Sequence, residues 1–288
     1  MFIRPLRLPS DRAALSEFLE VQARRGLPVL SENKHALIEY GDDRPGTGLV
    51  AETEHGAIAA YLGLAPAADG GWAMEIVTAE PDPTPLVDAA VREVGERGGG
   101  QLRWWIYGGP LVGWPERLGF TPERRLLVMA RDLPADEEPQ FPEDTSVLPF
   151  RPGLDEEAWL TVNNAAFRGH PENGDQTRAD LERRMAMDWF DPAGLRMAWA
   201  GERLAGFCWT KIHPSGEGEI YIIGLHPDFQ GRGLGRPLVL EGFRHLSDRG
   251  CPRVFLYTEG DNEAAVRLYE KVGMQVVKTH RSYLRQLT

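Results

Sequence analysis

The chain has 288 residues, 43 acidic against 32 basic side chains, a formal charge of −11 and 42% hydrophobic residues. That length allows two domains with full cores, and the acidic balance excludes a general nucleic-acid binder, whose phosphate contacts need a basic face. No apolar run approaches the ~20 residues of a membrane span. The N-terminal MFIRPLRLPSDR has no apolar signal region, and two cysteines cannot build a disulfide framework. A cytoplasmic protein is expected.

Taken in order, residues 1–8 read as a strand, and Ser10 or Asp11 caps a helix running to about Gly26. A helical stretch follows over 33–41. Strands are predicted at 48–53, 57–64 and 72–78, then a helix from Pro85 to about Glu96 closed by the glycines at 98–100. A strand at 102–107, a helix fragment ending at LGF (118–120) and a strand at 124–131 complete the first half. Residues 132–146 are acidic, proline-rich and aperiodic, the composition of a linker. Beyond it lie a strand at 147–151, helices at 154–167 and 177–187, and strands at 195–200 and 204–212.

The central stretch of the second half is 219–250. EIYIIGL (219–225) is strand composition, ended by Pro227, and Gly231, Gly233 and Gly235 form a turn before a helix. Pro237 suits the first turn of that helix, Leu238, Phe243 and Leu246 recur along it, and Gly250 ends it. Backbone N–H groups in such a turn, at a helix N-terminus, suit a pyrophosphate, and Arg232 and Arg236 add positive charge. There is no GKS or GKT end, and the glycines are out of register for G-x-G-x-x-G, so neither a P-loop nor a Rossmann turn is present. A strand at 253–257 follows, and Asn262 caps a helix carrying Ala265, Leu268, Tyr269 and Val272 on one face. The last strand is expected at 276–284. Cys208 and Trp209 read as core. His226, His245 and His280 are too scattered to ligate zinc, so no metal is expected.

The order of elements repeats. LRWWIY…RLGFTPERRLLVMAR (102–131) parallels RVFLYTE…YEKVGMQVVKTHRSYLR (253–285), which implies a duplicated α/β unit with domains at 1–131 and 147–288. Where the second copy has HPDFQGRGLGRP, the first has AEPDPTPL (79–86) and should bind such a ligand poorly.

Gln230-x-x-Gly233-x-Gly235 between strand and helix resembles the acetyl-CoA loop of the GNAT acetyltransferases, and DNEAAVRLYEKVGM (261–274) resembles the last helix of that fold. NNAAFRGHPENG (163–174), WFDPAG (189–194), GFCWTKIHP (206–214), EIYIIGLHPDFQGRGLG (219–235) and LYTEGDNEAAVRLYEKVGM (256–274) together resemble the mycothiol synthase family of tandem GNAT proteins. The resemblance is close over 147–288 and loose over 1–131.

It implies an α/β (α+β) fold of two tandem GNAT domains, each a mixed, mostly antiparallel sheet flanked by helices. It also implies acetylation by acetyl-CoA of the cysteinyl amine of 1D-myo-inositol 2-(L-cysteinylamino)-2-deoxy-α-D-glucopyranoside, giving mycothiol and CoA. On the matching positions Glu219 would be the base, Tyr269 the acid for the departing thiolate, and the Leu225 amide the oxyanion donor. Ile223, Gly224 and Leu225 would pair with the pantetheine arm, Gln230, Gly231, Arg232, Gly233, Leu234, Gly235 and Arg236 would hold the pyrophosphate, and Asn262 and Arg267 would also contact CoA. Glu32, Glu172, Lys211, Glu219 and Tyr257 would hold the amine substrate.

Plainer roles stand beside these: a solvated strand-end carboxylate for Glu219, a core tyrosine for Tyr269, a solvent-facing lysine for Lys211, an N-cap for Asn262 and a solvated arginine for Arg267. A monomer with a small-molecule partner is expected. Two other functions share the motifs, an acetyltransferase for another primary amine and a non-catalytic acyl-CoA sensor. His226 departs from the fold's pattern, since an aspartate commonly precedes that proline.

Overall fold

The computed structural model describes residues 2–26, 47–67, 70–170 and 173–287. The helical stretch expected at 33–41 lies outside them. The chain forms two compact units, Met1–Arg125 with Thr279–Thr288, and Leu126–Lys278.

In the first unit β1 (Phe2–Pro5), β2 (Thr47–Glu52), β3 (Ile58–Pro66) and β4 (Trp72–Thr78) pair antiparallel in that order. β5 (Gly100–Ile106) lies parallel to β4 over Trp72–Met74 only. The sheet then takes residues 281–287 as a strand antiparallel to β5. Helices α1 (Arg12–Arg24) and α2 (Thr84–Glu96) cover opposite faces, because successive β3 side chains point opposite ways. Tyr61 packs with Leu15 and Phe18 of α1, whereas Leu62 and Leu64 pack with Val87 and Val94 of α2. α3 (Trp114–Arg117) is a single turn. Asp11 precedes α1 without capping it through its side chain, since its carboxylate is taken by the Arg4 guanidinium and the Arg7 amide.

β6 (Thr121–Asp132) contributes its last seven residues, Leu126–Asp132, to the second unit. There β7 (Thr145–Pro149), β8 (Leu195–Ala200), β9 (Arg203–Ile212) and β10 (Gly218–Leu225) pair antiparallel in order. β11 (Arg253–Glu259) is parallel to β10, and the end of β6 is antiparallel to β11. Helices α4 (Glu156–Ala166) and α5 (Arg178–Met185) follow β7, and α6 (Gly235–Asp248) and α7 (Glu263–Lys271) follow β10 and β11. The last strand is β12 (Gln275–Leu287), whose residues from Thr279 onward belong to the first unit. Leu133, Ala135 and Phe141, from the acidic segment expected to be a linker, pack against the core of the second unit.

That unit has two cores. Cys208 and Ile220 face Leu238, Phe243 and Tyr269 of α6 and α7, and Phe207, Trp209 and Ile222 face Trp159 and Leu181 of α4 and α5. Each fully buried Leu or Phe contributes about 1.5–3 kcal/mol. α6 sits close to the sheet because residue 242 is glycine: a Cβ there would lie 2.5 Å from Ile220 Cδ1 and 2.6 Å from Cys208 Sγ. Among the described residues no helix is long and apolar enough to cross a membrane.

Candidate active site

β10 and β11 stay in register for only three pairs, Gly218↔Val254, Glu219↔Phe255 and Ile220↔Leu256. At Ile220/Ile222 the pairing of β10 with β9 shifts, leaving Tyr221 as an extra residue. Such a bulge bends a strand and raises its twist. Beyond it β10 continues along β9 to Leu225, while β11 continues along β6 to Glu259. The two parallel strands therefore part as a wedge, and the β11-facing edge of Ile222–Leu225 has no β11 partner in the ladder. The next amide, His226 N, donates to Ala205 O on the β9 side. Strand alternation turns the Leu225 N–H to the open side.

Glu219 stands at the closed end of this wedge. It is 7% exposed, which excludes the solvated strand-end reading. His213 Nε2 lies 2.7 Å from its Oε2. His213 was not singled out from sequence, although its position two residues beyond Lys211 on the same edge was a usable signal. Lys211 is directly opposite Glu219 across the β9–β10 ladder, hence on the same face. It is 5% exposed, not solvent-facing, and its Nζ lies 5.0 Å from the Trp189 ring and 5.8 Å from the Tyr221 ring. Burying an ammonium is costly without such partners. Tyr257 falls two residues beyond Phe255, the β11 partner of Glu219, and packs edge-on to it at 5.9 Å. Strand alternation puts Glu219, Lys211 and Tyr257 on one face. Glu32 and Glu172 lie outside the described residues.

The open end of the wedge leads into the turn that begins at Pro227. Phe229 and Leu234 are buried with Ala205 and hold both ends of it. Gly231 and Gly233 take φ of +75° and +79°, and a Cβ at either place would meet nothing within 4 Å. The backbone, not space, demands glycine there. α6 begins at Gly235, so its first-turn amides, which lack intrahelical acceptors, adjoin the turn. Gly224 has a packing reason of its own, since a Cβ would press on Ala166, Phe167 and Phe207.

The cations beside the turn are occupied within the chain. Arg232 stacks on Phe229 at 4.9 Å, and Arg236 pairs with Glu137. Asn262 caps α7, its Oδ1 accepting from Ala265 N at 3.2 Å, and Arg267 pairs with Glu263 on the surface at 2.8 Å. Tyr269 is buried among Leu238, Val239 and Val272. Burial pushes its hydroxyl well up, with the Cys208 sulfur adding to the effect, so it keeps its proton at neutral pH.

An open strand edge, an amide directed at it, a glycine turn at a helix N-terminus and a buried carboxylate fit an extended thioester with a pyrophosphate at one end. A sheet splayed in this way over such a turn defines an acetyltransferase of the GNAT class, enzymes that use acetyl-CoA.

The family model described as "Acetyltransferase (GNAT) family" matches residues 158–274. The mycothiol acetyltransferase of Thermomonospora curvata is 42% identical over 254 residues, 86% of this chain and 84% of its own. Among solved structures, a GCN5-related N-acetyltransferase from Sphaerobacter thermophilus superposes with a TM-score of 0.76 at 21% identity, covering 99% of this chain and 95% of its own. A tandem GNAT protein from the clavulanic acid biosynthesis pathway gives 0.74 at 14% identity, covering 100% and 98%. These two show the fold alone, and the second is a tandem GNAT protein. The chain belongs to the mycothiol acetyltransferase family.

Proposed function

We propose that this N-acetyltransferase moves the acetyl group of acetyl-CoA to the cysteinyl α-amine of 1D-myo-inositol 2-(L-cysteinylamino)-2-deoxy-α-D-glucopyranoside, releasing mycothiol and CoA. The observation that carries the reading is the wedge with buried Glu219 at its closed end and the glycine turn at its open end.

Glu219 takes a proton from the ammonium, and the freed amine attacks the thioester carbonyl. The Leu225 amide donates to the developing oxyanion. As the C–N bond forms and the C–S bond breaks, Tyr269 supplies the proton that the thiolate takes, balanced by the proton shed from the adduct nitrogen. Ile223 to Leu225 pair with the pantetheine arm as an added strand, and the amides from Gln230 to Arg236 take the pyrophosphate. For Arg236 to join them its side chain must leave Glu137. Asn262 and Arg267 sit at the N-terminal half of α7, where each would trade an internal partner for CoA. Lys211, Tyr257, Glu172 and Glu32 serve the polyol and cysteinyl groups. A monomeric state and a cytoplasmic location complete the proposal.

The test is CoA release from acetyl-CoA with the pseudo-disaccharide amine, beside aminoglycosides and free cysteine. Fast release with the first alone is expected. Release with an aminoglycoside alone would overturn the substrate, and tight acetyl-CoA binding without release from any amine would overturn the enzyme reading.

A further inference from the structure

A buried carboxylate serves as a base only if it is held ionised and aimed, and no sequence motif supplies a partner for Glu219. The structure supplies one. His213 closes β9, its backbone N–H donating to Glu217 O at 2.9 Å and its C=O accepting from Gly216 N at 2.8 Å, so the hairpin fixes its position. Its ring packs on Phe255 at 5.2 Å, and Nε2 lies 2.7 Å from Glu219 Oε2. An ionised carboxylate, the form a base requires, can only accept, so in that form the proton of the contact sits on the imidazole.

We propose that His213 is the positioning residue of the Glu219 base: its Nε2–H holds Oε2 and leaves Oε1 for the substrate ammonium. This rests on the reading of Glu219 as the base. The pair spans a gradient of burial, since the Glu219 side chain is 9% exposed and that of His213 22%. Charged groups on the flanking elements are Lys211 on β9, Glu217 in the hairpin, and Arg253 on β11, which lies 4.0 Å from Glu217. Tyr257 is the nearest titratable group further along β11.

An amide at 213 keeps a side-chain donor and alanine keeps none, which separates positioning from mere packing.

The experiment measures kcat and KM against pH for the wild type, H213Q, H213A, E219Q and the double variant H213A/E219Q, with acetyl-CoA and the cysteinyl-glucosaminyl-inositol amine. Acetyl-CoA affinity and the thermal midpoint are read in parallel. Expected are a loss of about 10- to 100-fold in kcat for H213A and a smaller loss for H213Q, the scale of a misplaced base within general-base catalysis. The double variant should be no slower than E219Q alone, because a residue acting through Glu219 has nothing left to position.

Two outcomes sink the proposal while leaving the base assignment intact: a further loss in the double variant comparable to that of H213A alone, or equal losses in H213Q and H213A. A fully active E219Q removes both readings together. Should H213A fail to fold, H213N, whose shorter amide cannot reach Glu219, takes its place beside H213Q and in the double variant.

Discussion

The two units carry the same strand plan and differ in two places that matter to chemistry. In each, four antiparallel strands lead to a parallel pair that stays in register for three residues, Trp72–Met74 with Leu102–Trp104 and Gly218–Ile220 with Val254–Leu256. The middle residue of the three is Ala73 in the first unit and Glu219 in the second. After the first wedge the chain enters α2 through Pro-Asp-Pro-Thr-Pro, without the two left-handed glycines that precede α6. The first wedge has a carboxylate, buried Glu75, but two residues further on, and its Oε1 accepts from the Tyr107 hydroxyl at 2.8 Å. Identical topology thus provides the opening. On the proposed mechanism, the units differ in function through one side chain at the register point and a turn whose amides can face a phosphate.

The strongest test exchanges the register-point residues. E219Q should lower kcat by about 10²- to 10⁴-fold, the range for loss of a positioned base, with acetyl-CoA affinity nearly unchanged. Adding A73E to that variant should restore nothing, since the first wedge lacks the turn. Initial rates and calorimetric titration of acetyl-CoA check both, and any recovered turnover in the double variant would show that the glycine turn is dispensable.

Much of this was readable beforehand, and the reasons differ by residue. Strands such as 72–78 and 195–200 and the helix at 235–248 announce themselves through apolar composition between glycine and proline stops. The glycine turn was legible because its spacing is local, whereas the role expected of Glu219 came from the family resemblance. The surroundings of Lys211 were not. Alternation put it on the face opposite Cys208, but burial there depends on Trp189, which is 22 residues away in sequence. The Glu219–His213 contact needs the hairpin register, which the string HPSGEGE does not state on its own. Nor does sequence show which sheet receives a strand. Residues 126–132 pair with β11 and residues 281–287 with β5, a choice made by distant partners.

A milder test concerns the turn. Alanine at position 233 must adopt φ near +79°, which costs an L-residue about 1–2 kcal/mol. If that strain is relieved by moving the amides out of place, the dissociation constant for acetyl-CoA should rise about 5- to 30-fold, taking 1.4 kcal/mol as tenfold. The KM for the amine should hold. The matched change in the first unit, Asp82→Ala, should alter neither constant, and an effect there equal to that of G233A would mean that the first wedge also takes part in binding.

The smallest effect probes the other unit's interior. Tyr61 is fully buried between α1 and the sheet, and among the described residues its hydroxyl has no hydrogen-bond partner. A buried unpaired hydroxyl costs about 1–3 kcal/mol, so Y61F should stabilise the protein by about 1 kcal/mol, read from urea unfolding at pH 8. Burial, then the nearby Glu75 carboxylate, pushes this hydroxyl well above the tyrosine range in the folded state. The stability linked to it is therefore complete below the unfolded value of about 10 and is lost as pH rises beyond it, because the unfolded chain ionises first. Phenylalanine cannot ionise in either state. The advantage of Y61F over the wild type should accordingly grow between pH 8 and pH 11, and a variant that is less stable at pH 8, with no such growth, would mean that the hydroxyl has found a partner in solution.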